Sequence, residues 1–412
     1  MNERPPIESA RVNGSRLQNR IEQLAGIGTT RLAFSKADVK GREIVIGMMT
    51  EIGLDVRIDP AGNILGRRSR HTQNPVVLCG SHIDTVQNGG RFDGILGSLA
   101  AIESAATLQE MDYVMQHPLE IVIFANEEGQ SFSPLFGSRC MIGALGAEDL
   151  HIVDASGRTL AQAIADIGGD PAEIDRAARK KGEIHAFVEL HIEQGGVLED
   201  LGVPIGVVEG ISGILYSDVK LTGLPRHSGT TSMNLRKDAL VAASRFVLEV
   251  ERASRENELC RVATVGHLEV LPNSLNIVPG IVNLTLELRD LSTEKMQGAY
   301  EYLQRQAAAI QEQMGVHFRF AERALIEPVP AEPSIMRAIQ EGCRVLGLRS
   351  HQMPSGAGHD AQMIARIAPV GMIFVPSVAG ISHSEAEFTE GEDCVHGANV
   401  LLQTILRVDS LS

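Results

Sequence analysis

The stretch GSHIDTVQNGGRFDG (Gly80–Gly94) sets a histidine and two aspartates among glycines, directly after the apolar run PVVLC. Imidazole nitrogen and carboxylate oxygen are the groups that hold a divalent ion or move a proton. Other apolar runs end in the same way. LEIVIFA (119–125) leads into NEEG, with Glu127 and Glu128; AFVELHI (186–192) carries Glu189 and His191 and continues into Glu193 and Gln194; GMIFVPS (371–377) is followed by VAGISHSEAE, with His383. In open α/β sheets, ligands gather outside the carboxyl ends of the strands. Separate segments thus bring histidine and carboxylate to one rim.

That donor mix suits zinc, manganese, cobalt or nickel, and the lack of cysteine in these segments argues against a structural zinc site. The groups are too many for one catalytic ion with an open position. Two divalent ions sharing a bridging carboxylate are therefore expected. The glycines would let the backbone double back so that Asp93 reaches the point presented by His82, and Asp84 would accept the other imidazole N–H. Taken singly, each feature has a plainer reading. A His-x-Asp at a strand end is a hydrogen-bonded turn, a pair of glutamates is a solvated helix start, GGRFDG is a tight turn, and His383 is a satisfied loop histidine. Their joint appearance after successive strands favours the metal reading.

The elements that must position these groups are short strands rich in Val, Ile and Phe, alternating with helical patterns such as 97–111 and 159–168. That alternation predicts an α/β domain with a mostly parallel sheet and helices on both faces. The middle of the chain differs. ILYSDVKLTG (214–223) and GIVNLTLELRDL (280–291) alternate polar and apolar residues, as strands with one wet face do. Long amphipathic helices are expected at 236–257 and 293–315. This predicts a smaller α+β domain at 211–327, inserted into a catalytic domain of 1–210 and 328–412. PRHSGTTSM (225–233) is expected to open a helix of that insert; simple capping by Ser228 to Ser232 is its plainer reading, which leaves His227 unexplained. PSGAGHDAQ (354–362) lacks the Lys-Ser/Thr of a phosphate loop; it reads as a loop whose backbone, at Gly358 and His359, comes close to a substrate.

Lys plus Arg number 37 against 52 Asp plus Glu, a formal charge of −15, which disfavours nucleic acid. The five scattered cysteines form no CxxC pair. With no apolar leader in MNERPPIESARVNG and no run long enough for a bilayer, a cytoplasmic protein without membrane contact is expected.

GSHIDTVQNGGRFDG, NEEG, FVELHIEQG, RHSGTTSM, PSGAGHDAQ and GISHSEAE together resemble the amidase/hydantoinase-carbamoylase family, within the aminoacylase/carboxypeptidase metallopeptidase superfamily. That family contains N-carbamoyl-L-amino acid hydrolases, allantoate amidohydrolases and β-ureidopropionases. The resemblance implies one ion on His82, Asp93 and His191, a second on Asp93, Glu128 and His383, and Glu127 as general base. It also implies that Gln194, His227, Asn276 and Arg289 hold a small ureido substrate with a carboxylate. The insert would be a ferredoxin-like lid that also forms a homodimer, with His227 reaching the partner's site. Ser228 and Ser232 stand where relatives often carry Ala and Pro. The reaction expected is hydrolysis of the carbamoyl C–N bond of an N-carbamoyl-L-amino acid, with His227 donating to the oxyanion and Arg289 clamping the carboxylate. Allantoate or a β-ureido acid is the alternative substrate, and a non-catalytic binding module is the alternative class.

Overall fold

The apolar runs that end in histidine or glutamate are all strands, and they form the centre of one sheet. The computed structural model describes residues 7–68 and 74–411; the first six residues of the start, read above as leaderless, lie outside them. The chain divides into two compact units, Met1–Glu209 with Ala331–Ser412, and Gly210–Pro330.

In chain order the strands are β1 (Asp55–Ile58), β2 (Ile64–Arg67), β3 (Val76–His82), β4 (Leu119–Phe124), β5 (Ile184–Ile192), β6 (Ile205–Ile211), β7 (Gly213–Thr222), β8 (Arg226–His227), β9 (Val262–Leu271), β10 (Ile277–Val278), β11 (Ile281–Asp290), β12 (His317–Ile326), β13 (Val329–Pro330), β14 (Ser350–Ser355) and β15 (Val370–Val375). The large sheet runs β1-β2-β4-β3-β5-β15-β6, with β14 also on β6. Its central strands β4, β3, β5 and β15 are parallel. Antiparallel strands flank them on both sides. The last residues of β6, Gly210 and Ile211, pair with β13.

Successive side chains of a strand point to opposite faces. Val77, Cys79, Ile121, Ile123, Val188, Leu190, Ile373 and Val375 join one core with residues of the helices Gly14–Ala25, Ile95–Glu110, Pro333–Leu346 and Gly391–Val408. Each such side chain, fully buried, stabilises the fold by roughly 1.5–3 kcal/mol. Glu189, between Val188 and Leu190, points to the opposite face, where it accepts from the Ala361 N–H of the short helix Asp360–Ile364. Burial on both faces is why these strands read as unbroken apolar runs.

The second unit has the strand order β12-β7-β11-β9, all antiparallel. With helices Ala239–Arg255 and Thr293–Met314 between strands, its β-α-β-β-α-β sequence is ferredoxin-like. Along β11, Val282, Leu284, Leu286 and Leu288 are buried with Phe246, Val250 and Leu303 of the helices, while Asn283, Thr285, Glu287 and Arg289 lie on the wetter face. PRHSGTTSM opens no α-helix, only the single 3-10 turn Met233–Leu235, with Ser232 at its N-cap position but making no side-chain cap bond. Arg226 and His227 form β8, whose backbone pairs with β10. The next α-helix starts at Ala239, and its cap is Asp238, which accepts from the N–H groups of Leu240 and Val241. No helix of the described residues is long and apolar enough to cross a membrane.

Candidate metal centre

His82 is the last residue of β3, Glu127 and Glu128 follow β4, His191 is near the end of β5 and His383 follows β15. Because these strands are parallel, their carboxyl ends share one rim. Asp93, on the turn after β3, sits at the centre. Its Oδ1 lies 3.5 Å from His82 Nε2 and 3.2 Å from His191 Nε2. Its Oδ2 lies 3.4 Å from His383 Nε2, and accepts from Gln194 Nε2 at 2.7 Å and Ser382 Oγ at 3.0 Å. Glu128 Oε2 is 3.6 Å from His383 Nε2, and Glu127 Oε2 is 3.6 Å from His82 Nε2. Two groups of side chains that can hold an ion therefore share one carboxylate: His82, Asp93 and His191; and Asp93, Glu128 and His383.

The imidazoles are turned by backbone carbonyls. His82 Nδ1 is 3.0 Å from the Asp84 carbonyl and His191 Nδ1 is 2.9 Å from the Ile192 carbonyl, so each Nε2 faces Asp93. This corrects the expectation for Asp84. Its carboxylate is 3.8 Å from His82 Nδ1 and instead accepts from the backbone N–H groups of Glu127, at 3.3 Å, and Glu128, at 3.1 Å. Asp84 thus orients the histidine through its backbone and the glutamate pair through its side chain. A Cβ on Gly94 would overlap the His82 ring, so only glycine fits where the turn passes. Asn126, Gln194 and His383 have left-handed φ of 53°, 58° and 54°, a strained backbone for non-glycine residues that clusters at functional loops.

Asp84, Asp93, Glu127, Glu189 and Asp360 are buried here with His82, His191 and His359. Buried carboxylates in excess of cationic partners are costly unless cations compensate them. Burial, then Asp360, Glu128 and Asp84, push the Glu127 carboxyl well above its usual range, against the pull of His82. Burial and Asp93 raise Glu128 to about 7. A hydrogen bond to Asp93 raises His383 to about 9 despite partial burial. Burial disfavours the charged His82 ring, yet Glu127, Asp93 and Asp84 hold its pKa well above the ordinary value. Among the described residues, Glu128 Oε1 and Gln194 Oε1 are buried with no hydrogen-bond partner, each an omission costing about 1–3 kcal/mol if left unfilled. Imidazole and carboxylate donors, orphaned oxygens and uncompensated negative charge together fit divalent ions.

With its pKa raised to about 9, His383 of the metal-free protein holds a proton at neutral pH that ligation must displace. Apparent affinity for Mn²⁺ is thus expected to rise from pH 6 towards pH about 9, where His383 gives up its proton. Calorimetry in buffers of different ionisation enthalpy should register proton release, and a pH-independent affinity would contradict this protonation state.

Gly358 is exposed, while His359 is buried against His191, ring centroids 4.5 Å apart, with Nε2 at 2.9 Å from Ser355 Oγ. Sequence reasoning gave no role to Ser382, whose hydroxyl meets Asp93, or to Asp360, a buried carboxylate whose pKa burial and Glu189 push well up. Asp360 directly follows His359 in GHDAQ, which was the available signal; a serine beside His383 carries none.

In the second unit, His227 and Asn276 lie together on the exposed β8–β10 ribbon, where the Ser228 N–H donates to the Asn276 carbonyl. Arg289 is near the far end of β11, its Nε 2.6 Å from Glu287 Oε1. Ile281, which follows β10 after two residues, and Arg289 are about 27 Å apart along β11 at roughly 3.4 Å per residue.

Residues 78–407 match the model of Peptidase family M20/M25/M40, and the chain belongs to that family. It is 40% identical over 402 residues to an N-carbamoyl-L-amino acid amidohydrolase of Geobacillus stearothermophilus, covering 96% of this chain and 98% of that one. It is 37% identical over 385 residues to an allantoate amidohydrolase of Bacillus subtilis (92% and 93% covered). A hydantoinase/carbamoylase family amidase of Burkholderia multivorans superposes with a TM-score of 0.90 at 34% identity, covering 98% of this chain and all of that one. The chain is an amidohydrolase, acting on amide bonds other than peptide bonds.

Proposed function

We propose that this amidohydrolase cleaves the carbamoyl group from N-carbamoyl-L-amino acids, consuming one water and yielding the L-amino acid, ammonia and carbon dioxide. The observation that carries the reading is the division of Asp93 between two donor groups, one oxygen to His82 and His191 and the other to His383. His82, Asp93 and His191 would hold one divalent ion, and Asp93, Glu128 and His383 the other, with zinc, manganese, cobalt and nickel all compatible. Held there, such ions supply Lewis acidity that makes water nucleophilic near neutral pH and polarises a carbonyl.

Glu127 belongs to neither donor group and faces the same space, within 3.6 Å of His82. It takes a proton from the attacking water and passes it to the leaving nitrogen. Positive charge arriving beside it favours its ionised form, offsetting the burial that raises its pKa in the metal-free protein. Gln194, beside Asp93, orients the ureido group, and Gly358 offers backbone at the rim. Arg289 would bind the substrate carboxylate, and His227 would donate to the developing oxyanion beside Asn276. With β10 leading into the start of β11 and Arg289 near its other end, His227 and Asn276 would act on the same small substrate as Arg289 from a second copy of the chain, in a homodimer built through this unit.

The test is ammonia release from N-carbamoyl-L-amino acids, their D enantiomers, a β-ureido acid and allantoate, using enzyme stripped of metal and reconstituted. At least about tenfold higher kcat/KM for an L-carbamoyl substrate, roughly 1.4 kcal/mol of discrimination, is expected. Preference for allantoate, to whose hydrolases the chain is also similar, would reassign the substrate and leave the site intact.

A further inference from the structure

We propose that Glu387 is a positioning residue whose carboxylate, with Ser382, clasps the Asp93 turn to the His383 loop, so that the two donor groups assemble together. The inference rests on the two-ion reading above. Glu387 is 2% exposed and faces no solvent it could serve. Its Oε1 accepts from the backbone N–H groups of Phe92, at 2.9 Å, and Asp93, at 3.1 Å. Its Oε2 is 3.0 Å from Ser382 Oγ, which is also 3.0 Å from Asp93 Oδ2. One hydroxyl proton serves one of these two carboxylates at a time, so Ser382 can turn to Glu387 when Asp93 Oδ2 is engaged elsewhere.

The clasp joins segments almost three hundred residues apart in sequence. The edge-to-face contact of Phe92 with Phe388, ring centroids 5.7 Å apart, closes it on the apolar side. It also explains the second of the paired glycines, Gly89 and Gly90: a Cβ on Gly90 would overlap the Glu387 carboxylate. His383 is half exposed on a left-handed backbone, so its position depends on the loop that Ser382 and Glu387 tie down. A carboxylate shared by two ions must aim both oxygens, and a supporting shell left loose by about 1 Å defeats such a site. Loss of outer partners of this kind costs about 10–100-fold in metal affinity.

The experiment measures Mn²⁺ affinity by equilibrium dialysis, with the melting temperature of each metal-free protein, for the parent chain, Glu387→Ala, Glu387→Gln and Gly90→Ala. Glu387→Ala is expected to bind Mn²⁺ about 10–100-fold more weakly. Gly90→Ala, which displaces the carboxylate without removing it, is expected to show a comparable loss. Glu387→Gln keeps an oxygen for both N–H groups and lets its amide donate to Ser382, so it should stay within about threefold of the parent. Parent-like affinity in Glu387→Ala overturns the clasp, as does Glu387→Gln binding as weakly as Glu387→Ala, which would make the effect one of charge. Should Glu387→Ala not fold, Gly90→Ala decides, and parent-like affinity there overturns the clasp. A parent chain that binds neither Mn²⁺ nor, in the same dialysis, Zn²⁺ refutes the two-ion reading itself and the clasp with it, an outcome distinct from the others.

Discussion

Glu127→Gln is expected to bind metal as the parent does and to lose about 10³-fold in kcat, within the range for removal of a general acid–base group. The substitution keeps the shape of the side chain and removes only its capacity to take up and release a proton. Glu127 lies outside both donor groups, which supports unchanged metal content. Its backbone is held independently, through the Asp84 carboxylate, and that contact survives the change. Steady-state kinetics paired with elemental analysis checks the result. A kcat within tenfold of the parent would remove Glu127 from the chemistry and leave the metal centre without its base.

Asp93→Ala should do more, because one side chain serves both donor groups. Loss of activity to background is expected, together with loss of the rise in melting temperature that Mn²⁺ gives the parent. A ligand present at 100 times its Kd stabilises a protein by about 2.7 kcal/mol, a readily measured shift for the parent chain. His383→Ala is the control, since it touches only the Asp93–Glu128 group. It should keep part of the metal-induced stabilisation. If Asp93→Ala retains a shift as large as that of His383→Ala, the carboxylate is not shared.

How far the sequence foretold this arrangement depended on burial. β3, β4, β5 and β15 are buried at nearly every position, so their apolar character shows as unbroken runs, and the polar groups at their ends stand out. Strands at the margins escaped. β1, DVRI, and β14, SHQMPS, are short and half exposed, and β9 and β12 carry polar residues between apolar ones because much of each strand meets solvent. His82 and Asp93 could be placed at one point from the glycines between them. Whether the carbonyl or the carboxylate of Asp84 would hold the imidazole could not be read, since both lie within reach and only the fold chooses. The β8 segment misled for a related reason. Its serines are good caps, but His227 had a pairing partner 50 residues away in Ile277, and Asp238 stood closer to the helix that needed capping.

The most direct measurement is the number of ions bound per chain, by equilibrium dialysis of the stripped protein against Mn²⁺ or Zn²⁺ followed by elemental analysis. Two per chain are expected, falling to none in Asp93→Ala. A plateau at one ion, or none, in the parent would contradict a centre bridged by Asp93.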